Sequence, residues 1–289
     1  MSVSILLFYL LISGKMRSAP DVHMADILTV VHLLSKLSFN ERDDHLVFTG
    51  DLVSKGPSSP AVVDLAIDLG ASCVRGNHED RILLAHRDTV SHPLTLPGVV
   101  DEATTPLAGS NSPIKFSQPQ KNRDELKLAS GGNDDRVLAQ TLTKAQIDYL
   151  SSCPLILHLG HLPHLGPTHV VHAGLVPGLA LEVQDPTAVM NMRTIDLHNH
   201  VPSSRTKGTP WAKLWNRYQT VLPAKERATV IYGHDSRRGL RVAKWSMGID
   251  SSCVKGGKLT ALVVESGREV RTVSVRCKNH VGKKWKKHG

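Results

Sequence analysis

None of the four cysteines, Cys73, Cys153, Cys253 and Cys277, stands in a C-x-x-C spacing. That absence excludes a Cys-rich structural zinc module, and it implies no disulfide framework. Buried thiols are the expectation, since three of the four sit in apolar or strand-like settings. No Asn-x-Ser/Thr sequon with an allowed flank occurs, which disfavours a glycosylated secreted protein. There is no internal repeat. No apolar run approaches the ~20 residues that a membrane-spanning helix needs. Ile5 to Ile12, eight residues and apolar apart from Tyr9, has the length of a signal-peptide core but lacks a basic segment before it. It reads as a signal or anchor, as a piece of a strand, or as a spurious start. A cytoplasmic location is expected, or a vacuolar or endomembrane lumen if that run is a true signal or anchor. Acidic residues are missing from Arg271 to Gly289, where seven Lys and Arg account for most of the net charge of +9. A second basic zone runs from Arg205 to Lys244, with ten Lys and Arg against Glu226 and Asp235. Such a surround would steer a polyanion. The plainer alternative is a solvated face and a basic tail. No nucleic-acid-binding motif stands out.

At 289 residues the chain can bury a full core as one domain. Ile27 to Leu37 spaces Leu28, Val31, Leu34 and Leu37 along one side of a helix. Pro60 to Leu69 is a second helix, with Pro at its start. Strand-like runs alternate with these helices, which predicts a layered α/β core. Lys258 to Val264 and Val270 to Val275 alternate as a closing pair of strands. Residues 93–135, rich in Pro, Ser, Thr, Gly, Asn and Asp, break the rhythm and read as a long flexible insertion. With helical stretches at Arg81–Arg87 and Val137–Leu150, the insertion would form a cap over a site. The resulting division is an irregular N-terminus over 1–19, one domain over 20–275 and a basic tail over 276–289. His158, His161 and His164 recur every third residue without acidic partners, and read as an exposed hairpin. Trp211 and Trp215 stand four apart, the spacing of a packed helix face.

The chemistry is concentrated at strand ends. Four apolar runs end in Gly50-Asp51, Gly76-Asn77, His172-Ala173-Gly174 and Gly233-His234. Each places an oxygen or nitrogen ligand at the mouth of a sheet, a mixed set that suits Mn, Zn, Fe, Co or Mg. Asp21-Val22-His23 adds a carboxylate and an imidazole that share one face of a strand. Asp21, His23 and Asp51 would hold one ion. Asp51, Asn77, His172 and His234 would hold a second, with Asp51 bridging. Two ions roughly 3.5–4 Å apart clamp an in-line displacement at phosphorus. His78 has no place among the ligands and is the natural general acid. Glu79 and Asp80 read as residues that orient the loop.

The order Asp-x-His, Gly50-Asp51-x-x-x-Lys55-Gly56-Pro57, Gly76-Asn77-His78-Glu79, His172-Ala173-Gly174-Leu175 and Tyr232-Gly233-His234 resembles the calcineurin-like metallophosphoesterases. Within them it is similar to the bacterial diadenosine tetraphosphatases and their eukaryotic relatives, fungal endopolyphosphatases included. The likeness runs from about Asp21 to Val264. It implies a β-sandwich flanked by helices, two divalent metal ions, and a phosphate-binding cation at Lys55. Ser54 and Lys55 replace the Asp and Arg of the Ser/Thr protein phosphatases. Arg193 is a candidate second phosphate clamp, since guanidinium binds phosphate bidentately. The family pattern Gly-Asp-x-His-Gly reads Pro20-Asp21-Val22-His23-Met24 in this chain, which crowds the first metal site.

The expected function is hydrolysis of phosphoanhydride bonds, inorganic polyphosphate above all. A metal-activated hydroxide would attack in line while His78 protonates the leaving group. The alternatives are a dinucleoside polyphosphate or mRNA-cap hydrolase, a Ser/Thr protein phosphatase, and a metal-poor scaffold that binds polyanions.

Overall fold

A computed structural model describes residues 4–8, 25–54, 59–91 and 133–279. Two five-stranded sheets form its centre. The first runs in the order β13 (Arg271–Arg276), β12 (Lys258–Val264), β1 (Ser4–Phe8), β2 (Asp44–Phe48), β3 (Ser72–Cys73). The second runs β10 (Arg241–Val242), β11 (Ser246–Gly248), β9 (Thr229–Tyr232), β5 (Gly166–Val171), β4 (Ile156–Leu162). A small third sheet joins β7 (Pro202–Ser203), β6 (Thr194–Ile195) and β8 (Thr209–Pro210).

Strand alternation distributes the apolar residues over three cores. Val47 lies between the two large sheets, with Val170, Ile231, Leu262 and Val264. Its neighbours Leu46 and Phe48 join the other face, a core with Val30, Leu33, Val62 and Val63. In the second sheet Val171, Val230 and Tyr232 pack outward against Trp211 and Trp215. The inner strands β2 and β9 are therefore buried on both faces, which explains why they read as unbroken apolar runs rather than as clean alternation. Helices α1 (Ala25–Lys36) and α2 (Ser59–Asp68) serve the first sheet, and the helix Trp211–Val221 serves the second. The expected α/β sandwich flanked by helices is the observed fold.

Several expectations change. In α1 the buried stripe is Val30, Leu33 and Leu34, while Leu28 and Val31 are exposed. The helix is apolar around much of its girth, so periodicity fits two stripes, and packing on β12 and β13 selects one. The N-terminus is not irregular throughout. Ser4–Phe8 is a strand, parallel to β2 and antiparallel to β12. The strand reading of the first apolar run is the one that agrees. The tail begins later than expected, because Arg276 completes β13 and Lys255 bridges Asn279. Asn133–Thr141 is a helix, so the last three residues assigned to the insertion belong to regular structure. Most of the insertion lies outside the described residues, as do Pro20, Asp21, His23, Met24 and Lys55.

The cysteines are not thiols. Cys73 is bonded to Cys153 and Cys253 to Cys277. The partners stand 80 and 24 residues apart, so no local spacing announces them. The histidine hairpin and the tryptophan pair are as read. His158, His161 and His164 are exposed on or beside β4, and Trp211 and Trp215 pack edge to face at 6.5 Å.

Candidate metal centre

The strand ends converge through unusual backbone. After β2 the chain takes two left-handed steps, Gly50 at φ 83° and Asp51 at φ 61°. A side chain on Gly50 would lie 2.8 Å from His172 Nδ1 and 2.9 Å from the Gly76 nitrogen, so only glycine fits. His234 is also left-handed, at φ 64°. Asp and His tolerate this region better than most residues, and such strain gathers at functional sites.

The four expected ligands of the second site meet. His172 Nε2 lies 3.1 Å from Asp51 Oδ1, 3.1 Å from Asn77 Oδ1 and 3.1 Å from His234 Nδ1. Backbone carbonyls set both imidazoles. His172 Nδ1–H donates to the Thr49 carbonyl at 2.8 Å, which leaves a lone pair on Nε2. His234 Nε2–H donates to the Asn191 carbonyl at 3.0 Å, which leaves a lone pair on Nδ1. Two imidazole lone pairs, a carboxylate oxygen and an amide oxygen thus point at one another. Such a set repels itself without a cation and fits a divalent metal ion with mixed N/O ligation. Asp51, His172 and His234 are all buried, with ligand atoms within 4.8 Å of one another.

Behind the oxygens stands Glu79, which is fully buried. Its carboxylate accepts from the Asp51 nitrogen at 2.8 Å, the Gly76 nitrogen at 2.8 Å and the Val53 nitrogen at 3.2 Å. Burial, and then the Asp51 charge, push its pKa up to about 7, while the backbone donors pull it down. It orients the loop, as the sequence suggested.

His78 opens α3 (Asn77–Ser91), with Nε2 3.8 Å from Asp51 Oδ2. Arg81 donates to His78 Nδ1 at 2.8 Å. An arginine has no acceptor, so Nδ1 holds a lone pair and the imidazole proton sits on Nε2, facing the centre. Arg81 is itself held by Asp135 at 3.0 Å, from the helix that follows the insertion. Arg193 lies on the His234 side. It donates to the His234 carbonyl at 3.3 Å and stands 3.8 Å from Asp235 Oδ1. Asp235 also pairs with Arg238. Sequence reading did not single out Arg81, Asp135, Asn191 or Asp235. Only Arg81 carried a local signal, three residues after His78 on a helix.

A sequence profile of the calcineurin-like phosphoesterases matches residues 20–264. The chain belongs to the calcineurin-like phosphoesterases. It is a metal-dependent hydrolase, and the family's two divalent ions agree with the donor set. The match begins one residue before Asp21, the first ligand expected of the other ion. The chain is 26% identical to a zinc-dependent endopolyphosphatase of Saccharomyces cerevisiae, over 76% of its own length and 66% of that protein's. It is 27% identical to a symmetrical bis(5'-nucleosyl)-tetraphosphatase of Methylococcus capsulatus, over 82% and 87%. A solved structure described as a diadenosine tetraphosphatase aligns with TM-score 0.63 and 28% identity, covering 96% of this chain and 94% of that one. Among the described residues no helix is long and apolar enough to cross a membrane.

Proposed function

We propose that this phosphoesterase cleaves inorganic polyphosphate within the chain, at its phosphoanhydride bonds. The observation that carries the reading is the cationic flank built against one metal ligand. Arg193 contacts the His234 carbonyl, and Arg238 donates to the Arg193 carbonyl at 3.5 Å. The name of the yeast relative supports the same substrate.

Divalent ions held by the donor set supply Lewis acidity for attack of water on phosphorus. The chain's own residues do the rest. Asp51, Asn77, His172 and His234 would hold one of the ions. His78 presents Nε2–H toward the centre, where it protonates the leaving oxygen. Arg193 holds an equatorial phosphate oxygen, as does Lys55, four residues after Asp51. Asp21 and His23 would complete the ligands of the other ion, with Asp51 shared. Two disulfides support an oxidising compartment, such as a vacuolar or endomembrane lumen, over the cytoplasm.

The nucleotide-hydrolase reading remains the second choice, on the coverage of the bacterial tetraphosphatase. A panel of long-chain polyphosphate, diadenosine tetraphosphate, capped RNA and a phosphopeptide, with added Zn, Mn, Co or Mg, decides between them. The expected result is the highest kcat/KM on polyphosphate, with mid-length products early. Preference for another substrate, or single phosphates from the outset, overturns the proposal.

A further inference from the structure

Next to the metal centre a cavity of about 350 Å³ opens between two loops. Its walls are Arg193, Ser204, Arg205, Thr206 and Arg237. Three arginines, a serine and a threonine line it, with neither an acidic nor an aromatic residue among them. Arg193 is shared between this cavity and the centre, through its contact with the His234 carbonyl.

The charges in it are unequal. Asp235 offsets part of the charge of Arg193 and Arg238, which both pair with it. Arg205 and Arg237 are exposed, and neither forms an ion pair among the described residues. They are the cations left to meet a ligand.

The loop that carries Arg205 is held from beneath. The Thr194 hydroxyl, on a fully buried residue, lies 2.9 Å from the Arg205 carbonyl and 3.1 Å from the Lys207 carbonyl. The Arg193 nitrogen donates to the Ser203 carbonyl at 2.8 Å, and its guanidinium to the Ser204 carbonyl at 2.9 Å. Arg238 donates to the Thr206 carbonyl at 3.5 Å. The cavity wall is therefore preformed, which lowers the ordering cost of binding.

We propose that this cavity is a phosphate subsite that takes the polyphosphate chain beyond the bond being cut, with Arg205 and Arg237 as specificity-determining residues. The inference rests on the polyphosphate reading above. A phosphate chain leaving the metal centre passes Arg193 and meets Arg205 and Arg237. Each guanidinium can grip non-bridging oxygens in its planar fork. The three arginines thus match a row of phosphates, each of which brings its own non-bridging oxygens.

The test uses the full metal-loaded chain and the Arg205→Gln/Arg237→Gln double variant. Hydrolysis of 4-nitrophenyl phosphate serves as reporter, with metal kept above total phosphate so that chelation does not mimic inhibition. Long-chain polyphosphate and orthophosphate are the competitors, at low salt. The double variant should raise the inhibition constant of polyphosphate about tenfold. It should raise that of orthophosphate less than threefold. Arg205→Lys/Arg237→Lys, which keeps the charge but loses the fork, should fall between. A polyphosphate shift below threefold, or an equal shift for both competitors, overturns the subsite. Failure of the wild type to cut polyphosphate sinks the substrate proposal separately, since inhibition by the uncut chain still reports on the two arginines.

Discussion

The two sheets bring different atoms to the centre and hold them by different means. From the first come oxygens, Asp51 and Asn77, on turns gathered by the single carboxylate of Glu79. From the second come nitrogens, His172 and His234, each aimed by a backbone carbonyl. The oxygen half therefore depends on one side chain that touches no ligand atom of its own. The nitrogen half has its orientation written into the backbone, and mutation behind it finds less to remove. Each half is also backed by a disulfide. Cys73–Cys153 anchors β3, which leads into Asn77. Cys253–Cys277 closes the loop whose Ser252 hydroxyl donates to the Ser236 carbonyl, two residues past His234.

The largest effect should fall where the halves meet. Asp51→Asn removes the one formal charge among the four donors. Turnover of an aryl phosphate should drop at least about a hundredfold, with metal content falling in parallel. Near-normal turnover with full metal content would break the assignment of Asp51 as the shared ligand.

The disulfides come next. Loop-entropy reasoning gives about 3–5 kcal/mol for each, and about 1 kcal/mol more for the 80-residue separation than for the 24-residue one. Cys73→Ser and Cys253→Ser, compared by denaturant unfolding, check both the size and the order. A variant indistinguishable from wild type would remove its bond from the oxidised protein.

Glu79→Gln should expose the asymmetry between the halves. It leaves every ligand in place but turns an amide N–H₂ toward backbone donors, at a cost of about 1–3 kcal/mol. Metal affinity should fall about 10–100-fold. His234→Ala should lose metal affinity too, yet unfold in chelator much like the wild type. Equal stability losses in chelator for the two variants would erase the distinction.

Much of this was legible in the chain because each ligand sits in its own short pattern. A strand that ends in Gly-Asp or Gly-His carries its meaning locally, and four in series mark a site. The supports were not legible. His172 meets Thr49 across 123 residues, His234 meets Asn191 across 43, and Arg81 meets Asp135 across 54. No period or spacing encodes such meetings, nor the cysteine pairs. The stripe of α1 was misread because two apolar phases fit one helix, and only the sheet beneath chose between them. The strand Ser4–Phe8 was visible as one of several readings of an apolar run, and pairing on both sides places it inside the first sheet.

Smaller effects follow. Arg81→Ala removes the donor that fixes the His78 tautomer, so kcat should fall about tenfold with a lesser change in KM. A KM effect alone would assign Arg81 to substrate binding instead. On the outer face of the second sheet, burial and then nearby His158 lower the His169 pKa to about 4. The unfolded chain binds this proton more readily, so His169 makes stability decline as pH falls from about 6.5 toward 4. His169→Phe should flatten that decline in urea midpoints. An unchanged slope would place the acid sensitivity elsewhere.

The central claim is that two strand-end histidines and two oxygen ligands from opposite sheets form one metal site. X-ray absorption at the zinc edge, on zinc-loaded protein, tests it most directly. The predicted shell holds imidazole nitrogens with oxygens at about 2.0–2.2 Å and no sulfur. His172→Ala/His234→Ala should reduce the imidazole signal and the bound zinc together. A sulfur shell, or an imidazole signal untouched by that double variant, would contradict it.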